Sequence, residues 1–288
     1  MVRIVLIISV LFSLIAFNAC TIKEAYLLHA DVDAPVSQLP IHLSDSSQSS
    51  PVTLSLKVSA NTTNHVSGNI SKNETNSYTE EYYSGKNFDW NISQFSFATD
   101  ADIRLGKRAA FFGGFDLATS SNSTLWGGNV GLGIFSAASP ISVRFDIGLK
   151  FQSTQVDASY YFSGETIPFD IPFEMIVNTS EKKLYTSPFA TFTIYSTNEE
   201  SYIKPFLQLG YANQTLFNID FNDRLFVTNE NDLEIVGKVD LISTSPGISI
   251  DLGSNQSLLL GLRYIYLSSR DVDNKNMLLP FLQVDFKL

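Results

Sequence analysis

Cysteine is almost absent from this chain. Cys20 is the only one among 288 residues, so no disulfide can form within it. Histidine is nearly as scarce, limited to His29, His42 and His65. No HExxH, CxxC or histidine–carboxylate spacing groups them, so a metal centre has little support and no cofactor is expected. A nucleophile–histidine pair would need a base on a strand rim. Only His65 could serve, and Glu80 and Glu81 near it form too loose a pattern for paired-acid chemistry. The chain therefore reads as a non-enzyme. Cationic excess is missing too: 19 Lys and Arg face 29 Asp and Glu, and the formal net charge of -10 argues against nucleic acid as a partner. The apolar run Ile4–Phe17 falls short of the roughly 20 residues that a membrane helix needs.

What is present is alternation. In Ile141-Ser-Val-Arg-Phe-Asp-Ile-Gly-Leu-Lys-Phe151 the odd positions are all apolar, and the even ones carry Arg144, Asp146 and Lys150. A strand repeats every two residues, so this segment has one oily face and one charged face. The pattern returns in Phe95–Leu105, Ser257–Leu267 and Leu278–Leu288. Strands are expected near 52–65, 89–105, 109–119, 124–136, 141–158, 182–196, 201–217, 232–252, 256–269 and 277–288. The 22 Phe and 12 Tyr suit strands and interfacial girdles better than helices.

Connectors at 106–108, 137–140, 198–201 and 253–256 are short, whereas those at 66–88, 159–181 and 218–231 are long. This near-alternation is what a membrane barrel with short turns at one end and long loops at the other requires. The fold class expected is therefore all-β, a single antiparallel transmembrane β-barrel of about ten strands over residues 51–288. The rival architecture is a soluble β-sandwich on a lipoprotein anchor, whose apolar faces a second sheet would cover. Within the barrel reading, Leu260→Arg on the lipid face blocks insertion, and Gln208→Arg inside is tolerated better.

Residues 1–19 have a positive Arg3, a short apolar stretch and small residues at the end, the marks of a signal peptide. The motif Phe17-Asn18-Ala19-Cys20 resembles a bacterial lipobox, which implies a lipid on Cys20. Residues 20–50, with Pro35, Pro40 and the serine run Ser44–Ser50, then read as a flexible lipid-anchored tether. The last strand, Leu282-Gln-Val-Asp-Phe-Lys-Leu288, resembles the terminal signal by which outer-membrane barrels are recognised for insertion. With Lys204-Pro-Phe-Leu-Gln-Leu-Gly-Tyr211 and Leu260-Gly-Leu-Arg-Tyr264, it makes residues 50–288 similar to the small outer-membrane barrel superfamily. The resemblance implies a bacterial outer-membrane location, with membrane lipid and the barrel-insertion machinery as partners. An even strand count places both termini in the periplasm.

Parity assigns Arg104, Arg144, Asp146, Lys150, Lys204, Lys238, Asp240, Arg263 and Asp285 to the lumen, because Lys or Arg facing mid-membrane lipid costs about 2–4 kcal/mol each. With Lys57, Lys287, Asp100, Asp102, Asp116, Glu234 and Asp251 on the same face, eight cations meet eight anions, and this balance suggests ion pairs that fill the barrel rather than a ring of one charge. In the eighth strand Ile235, Val239 and Leu241 are odd but Ile248, Ile250 and Leu252 are even, so a bulge is expected at Ser243–Pro246. The glycines Gly127, Gly131 and Gly133 read as space for long luminal side chains. Tyr78, Tyr82, Tyr83, Tyr160 and Tyr161, in the long loops, are candidates for recognising an unknown surface ligand. The functional expectation is a plugged barrel acting through surface loops or as an envelope structural protein. The alternative is a narrow porin-like channel.

Overall fold

The computed structural model describes residues 20–43, 51–68, 88–120, 123–136, 140–166, 171–198, 200–220, 234–253, 255–268 and 276–288. No described residue is helical. The strands are β1 (Cys20–Ala34), β2 (Val52–Ala60), β3 (His65–Gly68), β4 (Phe88–Ile92), β5 (Phe95–Arg104), β6 (Ala109–Thr119), β7 (Thr124–Phe135), β8 (Ile141–Thr166), β9 (Ile171–Ser196), β10 (Ile203–Asp220), β11 (Glu234–Asp251), β12 (Gln256–Ser268) and β13 (Asn276–Lys287).

Ten of these close into an antiparallel ring in the order β2-β5-β6-β7-β8-β9-β10-β11-β12-β13, with β13 returning to β2. Phe281 to Lys287 run opposite Ser59 to Thr53 at that junction, and β8 pairs with β9 from Ile141 opposite Ser196 to Thr166 opposite Ile171. A closed ring leaves no second sheet, which removes the sandwich alternative.

The outward face is apolar around the ring: Leu54, Leu56, Phe97, Phe115, Trp126, Leu132, Ile147, Ile194, Leu209, Leu262 and Leu282 are all exposed. A water-soluble monomer does not carry an apolar belt of this extent, so the belt faces lipid. An arginine replacing Leu260 on this face should cost about 2–4 kcal/mol and block insertion into vesicles, read by the loss of heat-resistant gel migration. The contrast with Gln208→Arg is revised. Gln208 is fully buried and accepts a bond from the Arg263 guanidinium at 3.1 Å, so a second cation there is also destabilising.

Strand length tells where the membrane ends. β2, β5, β6, β7, β12 and β13 have 9 to 13 residues, close to the 9–11 or so that cross a bilayer. β10 and β11 have 18 residues each, and β8 and β9 have 26. The segment 159–181, expected as a loop, is therefore mostly a β8–β9 hairpin that projects beyond the belt. Four short connections, between Arg104 and Ala109, Phe135 and Ile141, Ser196 and Ile203, and Asp251 and Gln256, define the opposite, short-turn end.

The hairpin anchors a second layer. Upper β8 carries β1 on its other edge, with Asp33 opposite Gln155 and Cys20 opposite Thr166. Beyond β1 lies β4, in parallel, and then β3. Under this β9-β8-β1-β4-β3 sheet sits an apolar core that includes Val32, Phe88, Trp90, Tyr160, Phe162, Leu216, Phe217, Val239, Leu241 and Leu267.

That core corrects the expected bulge at Ser243–Pro246. The β10–β11 register runs unshifted from Ile203 opposite Ile250 to Thr215 opposite Lys238, and the irregularity falls instead between Thr215 and Phe217. Val239 and Leu241 point inward and are buried, so the same parity runs through the whole strand. Polarity inverts above the belt, where the inside is oily and the outside meets water. Lys238 and Asp240 consequently sit on the outer surface and not in the lumen, and Asp240 accepts hydrogen bonds from Tyr211 and Asn213, each at 2.7 Å.

The tether is also corrected. Residues 20–34 form β1, and 35–43 descend inside the barrel from the long-hairpin end to the short-turn end. Cys20 therefore lies at the long-hairpin end of the barrel and Leu288 at the short-turn end. Residues 1–19, expected as a signal peptide, lie outside the described residues.

Candidate functional site

The segment Pro35-Val-Ser-Gln-Leu-Pro-Ile-His-Leu43 occupies the lumen, and all of it except Gln38 and Leu43 is buried. Two prolines remove backbone donors and favour an extended chain, so its carbonyls dominate its hydrogen bonding. The barrel wall supplies matching donors. Gln214 Nε2 donates to the Pro35 carbonyl at 2.8 Å and its Oε1 accepts the Ser37 amide at 2.9 Å. Lys57 Nζ and Arg263 Nη2 donate to Leu39 O at 3.2 and 2.9 Å. Gln208 donates to Pro40 O at 2.8 Å, and Gln283 to Ile41 O at 2.9 Å. Gln38 reaches the hydroxyls of Ser59 and Ser96. Below, Ile41 packs with Tyr195, Phe206, Leu259 and Phe281.

Beside the segment lie the luminal charges. Arg144, fully buried, donates to Asp102 through two nitrogens at 2.7 and 2.9 Å and to Asp146 at 2.7 Å. His42 Nδ1 sits 3.3 Å from the Arg144 guanidinium, so this network touches the segment directly. Lys150 pairs with Asp116 at 2.8 Å, and Asp285 accepts from Gln283 at 2.8 Å. Arg263 also donates to Ser245 at 2.9 Å. Lys204 pairs with Asp251 at 2.8 Å at the short-turn rim, where Arg104 lies 5.6 Å from the Phe135 ring centroid. Small residues clear space for this arrangement. A Cβ on Gly133 would meet Asp146 and Arg144, and one on Gly127 would meet Asp116. Gly131 instead accommodates Phe112. Among the described residues, the gap bounded by Gln38, Lys57, Ser59, Arg263, Leu279 and Phe281 has no room for a water molecule.

Gly210 does the same for the segment itself, since a Cβ there would meet Leu39 Cδ1 and Ser243 Oγ. Gly210→Leu should therefore crowd the segment and lower stability by about 1–3 kcal/mol, read from urea unfolding in lipid vesicles.

The tyrosine candidates divide. Tyr160 is buried in the apolar core and Tyr161 lies on the same strand, partly buried, so neither is a loop residue. Tyr78, Tyr82 and Tyr83 lie outside the described residues.

A second grouping escapes sequence reading altogether. A register shift between Leu27 and His29 in β1 turns His29 and Asp31 away from the core. Parallel pairing sets Asp31 beside Asp89 of β4, and His65 of β3 sits next to Asp89. His29 Nε2 lies 3.5 Å from Asp31, and His65 Nε2 lies 3.1 Å from Asp89. The only signal was the number of histidines, because no spacing along the chain reveals a parallel β1–β4 contact.

No protein-family model and no curated protein matches this chain. Solved outer-membrane β-barrels do resemble its fold. Outer membrane protease OmpT from Escherichia coli has a TM-score of 0.45 at 8% identity, over 85% of this chain and 100% of that one. The translocator domain of autotransporter NalP from Neisseria meningitidis gives 0.34 at 8%, over 84% and 90%. The toluene transporter TbuX from Ralstonia pickettii gives 0.35 at 10%, over 84% and 91%. These likenesses concern the fold alone. The reading as a non-enzyme is nevertheless corrected, because the histidine–carboxylate pairs at the long-hairpin end remove the premise that no base is available. The fold by itself assigns no activity.

Proposed function

We propose that this chain is a self-plugged barrel of a bacterial outer membrane, which presents the β9-β8-β1-β4-β3 sheet outside the bilayer rather than passing solutes at rest. The observation that carries this reading is the filled lumen, in which Lys57, Gln208, Gln214, Arg263 and Gln283 hold the backbone of residues 35–41. A porin needs the opposite, an unobstructed polar path. The short-turn end faces the periplasm in this proposal, as in barrels with short periplasmic turns, and the long hairpin faces the medium. Lipid covers the apolar belt, and the insertion machinery reads the final strand ending at Leu288. The platform is a rigid mount for recognition, because its buried face is tied into the core above the lumen.

Orientation is tested by labelling intact cells. Ile176 is 63% exposed on the projecting hairpin. Ile176→Cys should react with a membrane-impermeant maleimide before lysis, above the level set by Cys20 in the unmodified chain. Labelling only after lysis would overturn the proposed orientation.

A further inference from the structure

We infer that the exposed face of the outer sheet holds a zinc-class divalent metal site, built from His29, Asp31 and Asp89 and oriented by His65. One ligand atom from each of the first three residues lies within 4.8 Å of the other two. Four-coordinate zinc bound at about 2.0–2.1 Å sets its ligands roughly 3.3 Å apart. Modest side-chain rotations close that difference, and they are available because the His29, Asp31 and Asp89 side chains are 45%, 54% and 29% exposed.

Several observations converge on this face. Two of the three histidines in the whole chain meet here from different strands. The β1 register shift that exposes His29 and Asp31 leaves Ala30, Val32 and Ala34 buried on the other side, so the core and the ligand face are set together. Asp31 and Asp89 lie side by side in the parallel register, which sets two carboxylates against each other. Among the described residues, their only salt-bridge partners are the two histidines. A divalent ion placed between the two carboxylates offsets that repulsion. A mixed imidazole–carboxylate donor set is the chemistry that zinc accepts, and three protein ligands leave a fourth position for water. His65 Nε2, 3.1 Å from Asp89 Oδ1, donates to the carboxylate and fixes it, as outer-shell partners of metal ligands do. An ion here joins β1 to β4, and β1 leads directly into the luminal segment.

The test uses the full chain without an affinity tag, refolded in detergent and checked by heat-modifiable gel migration. Titration with zinc chloride should show one saturable equivalent per chain. His29→Gln and Asp89→Asn should each weaken that binding at least tenfold without altering gel migration. Cobalt should give the visible bands of a four-coordinate ion, lost in His29→Gln. His65→Gln should keep the band positions while weakening affinity, the mark of a positioning residue rather than a ligand. Absence of saturable zinc binding, or equal affinity in His29→Gln, Asp89→Asn and the unmodified chain, would overturn the site. A cobalt band unchanged by His29→Gln would do the same.

Discussion

Arg144→Met should be among the most damaging single substitutions in this protein, lowering stability by about 3–5 kcal/mol in urea unfolding from vesicles. Arg144 is fully buried and bonded to Asp102 and Asp146, with His42 of the luminal segment against it. Removing the guanidinium leaves two carboxylates facing each other in a closed lumen, and their desolvation is then uncompensated. Adding Asp102→Asn and Asp146→Asn to Arg144→Met removes the stranded charge, so the triple variant should recover much of the loss. A single variant within about 1 kcal/mol of the unmodified chain would show that the network carries little structural weight.

A chain that lacks residues 20–43 should conduct in planar bilayers, whereas the unmodified chain should be silent. All ten ring strands begin at or after Val52, so the deletion spares the barrel wall. It removes the acceptors of Lys57, Gln208, Gln214, Arg263 and Gln283, which then line a water-filled path. Cations outnumber anions among those five, so the opened lumen should favour anions at that level. It should also be less stable by several kcal/mol, since each lost bond to these groups is worth about 0.5–3 kcal/mol. Conductance of equal size with and without the segment would mean that it does not seal the barrel.

The ring was legible because the bilayer enforces a period of two: oil outside and polar groups inside repeat along every crossing strand, as in Ile141–Phe151. Above the belt that rule loses its sign. Val239 and Leu241 are apolar and inward while Lys238 is polar and outward, so hydropathy there mimics a register slip. The hairpin of β8 and β9 was hidden for a related reason, since exposed Met175 and Ile176 are adjacent and break the alternation. Residues 35–43 looked like a linker because Pro35 and Pro40 punctuate them. Their composition pointed elsewhere: Val36, Leu39, Ile41 and Leu43 are apolar, which a solvated tether avoids. What no local reading supplies is the pairing of distant donors such as Gln208 and Gln283 with those carbonyls, because it follows from closing the ring.

A disulfide between the segment and the wall decides whether residues 35–43 fill the lumen. Leu39→Cys with Gly210→Cys, in a Cys20→Ser background, places two thiols where the Leu39 side chain now rests against Gly210. Mild oxidation of the folded protein in vesicles should form this bond quantitatively, leaving neither thiol open to a maleimide, while Leu39→Cys alone stays unreactive until the barrel is unfolded. Rapid alkylation of both cysteines in the folded, inserted protein would place residues 35–43 outside the lumen and contradict the account.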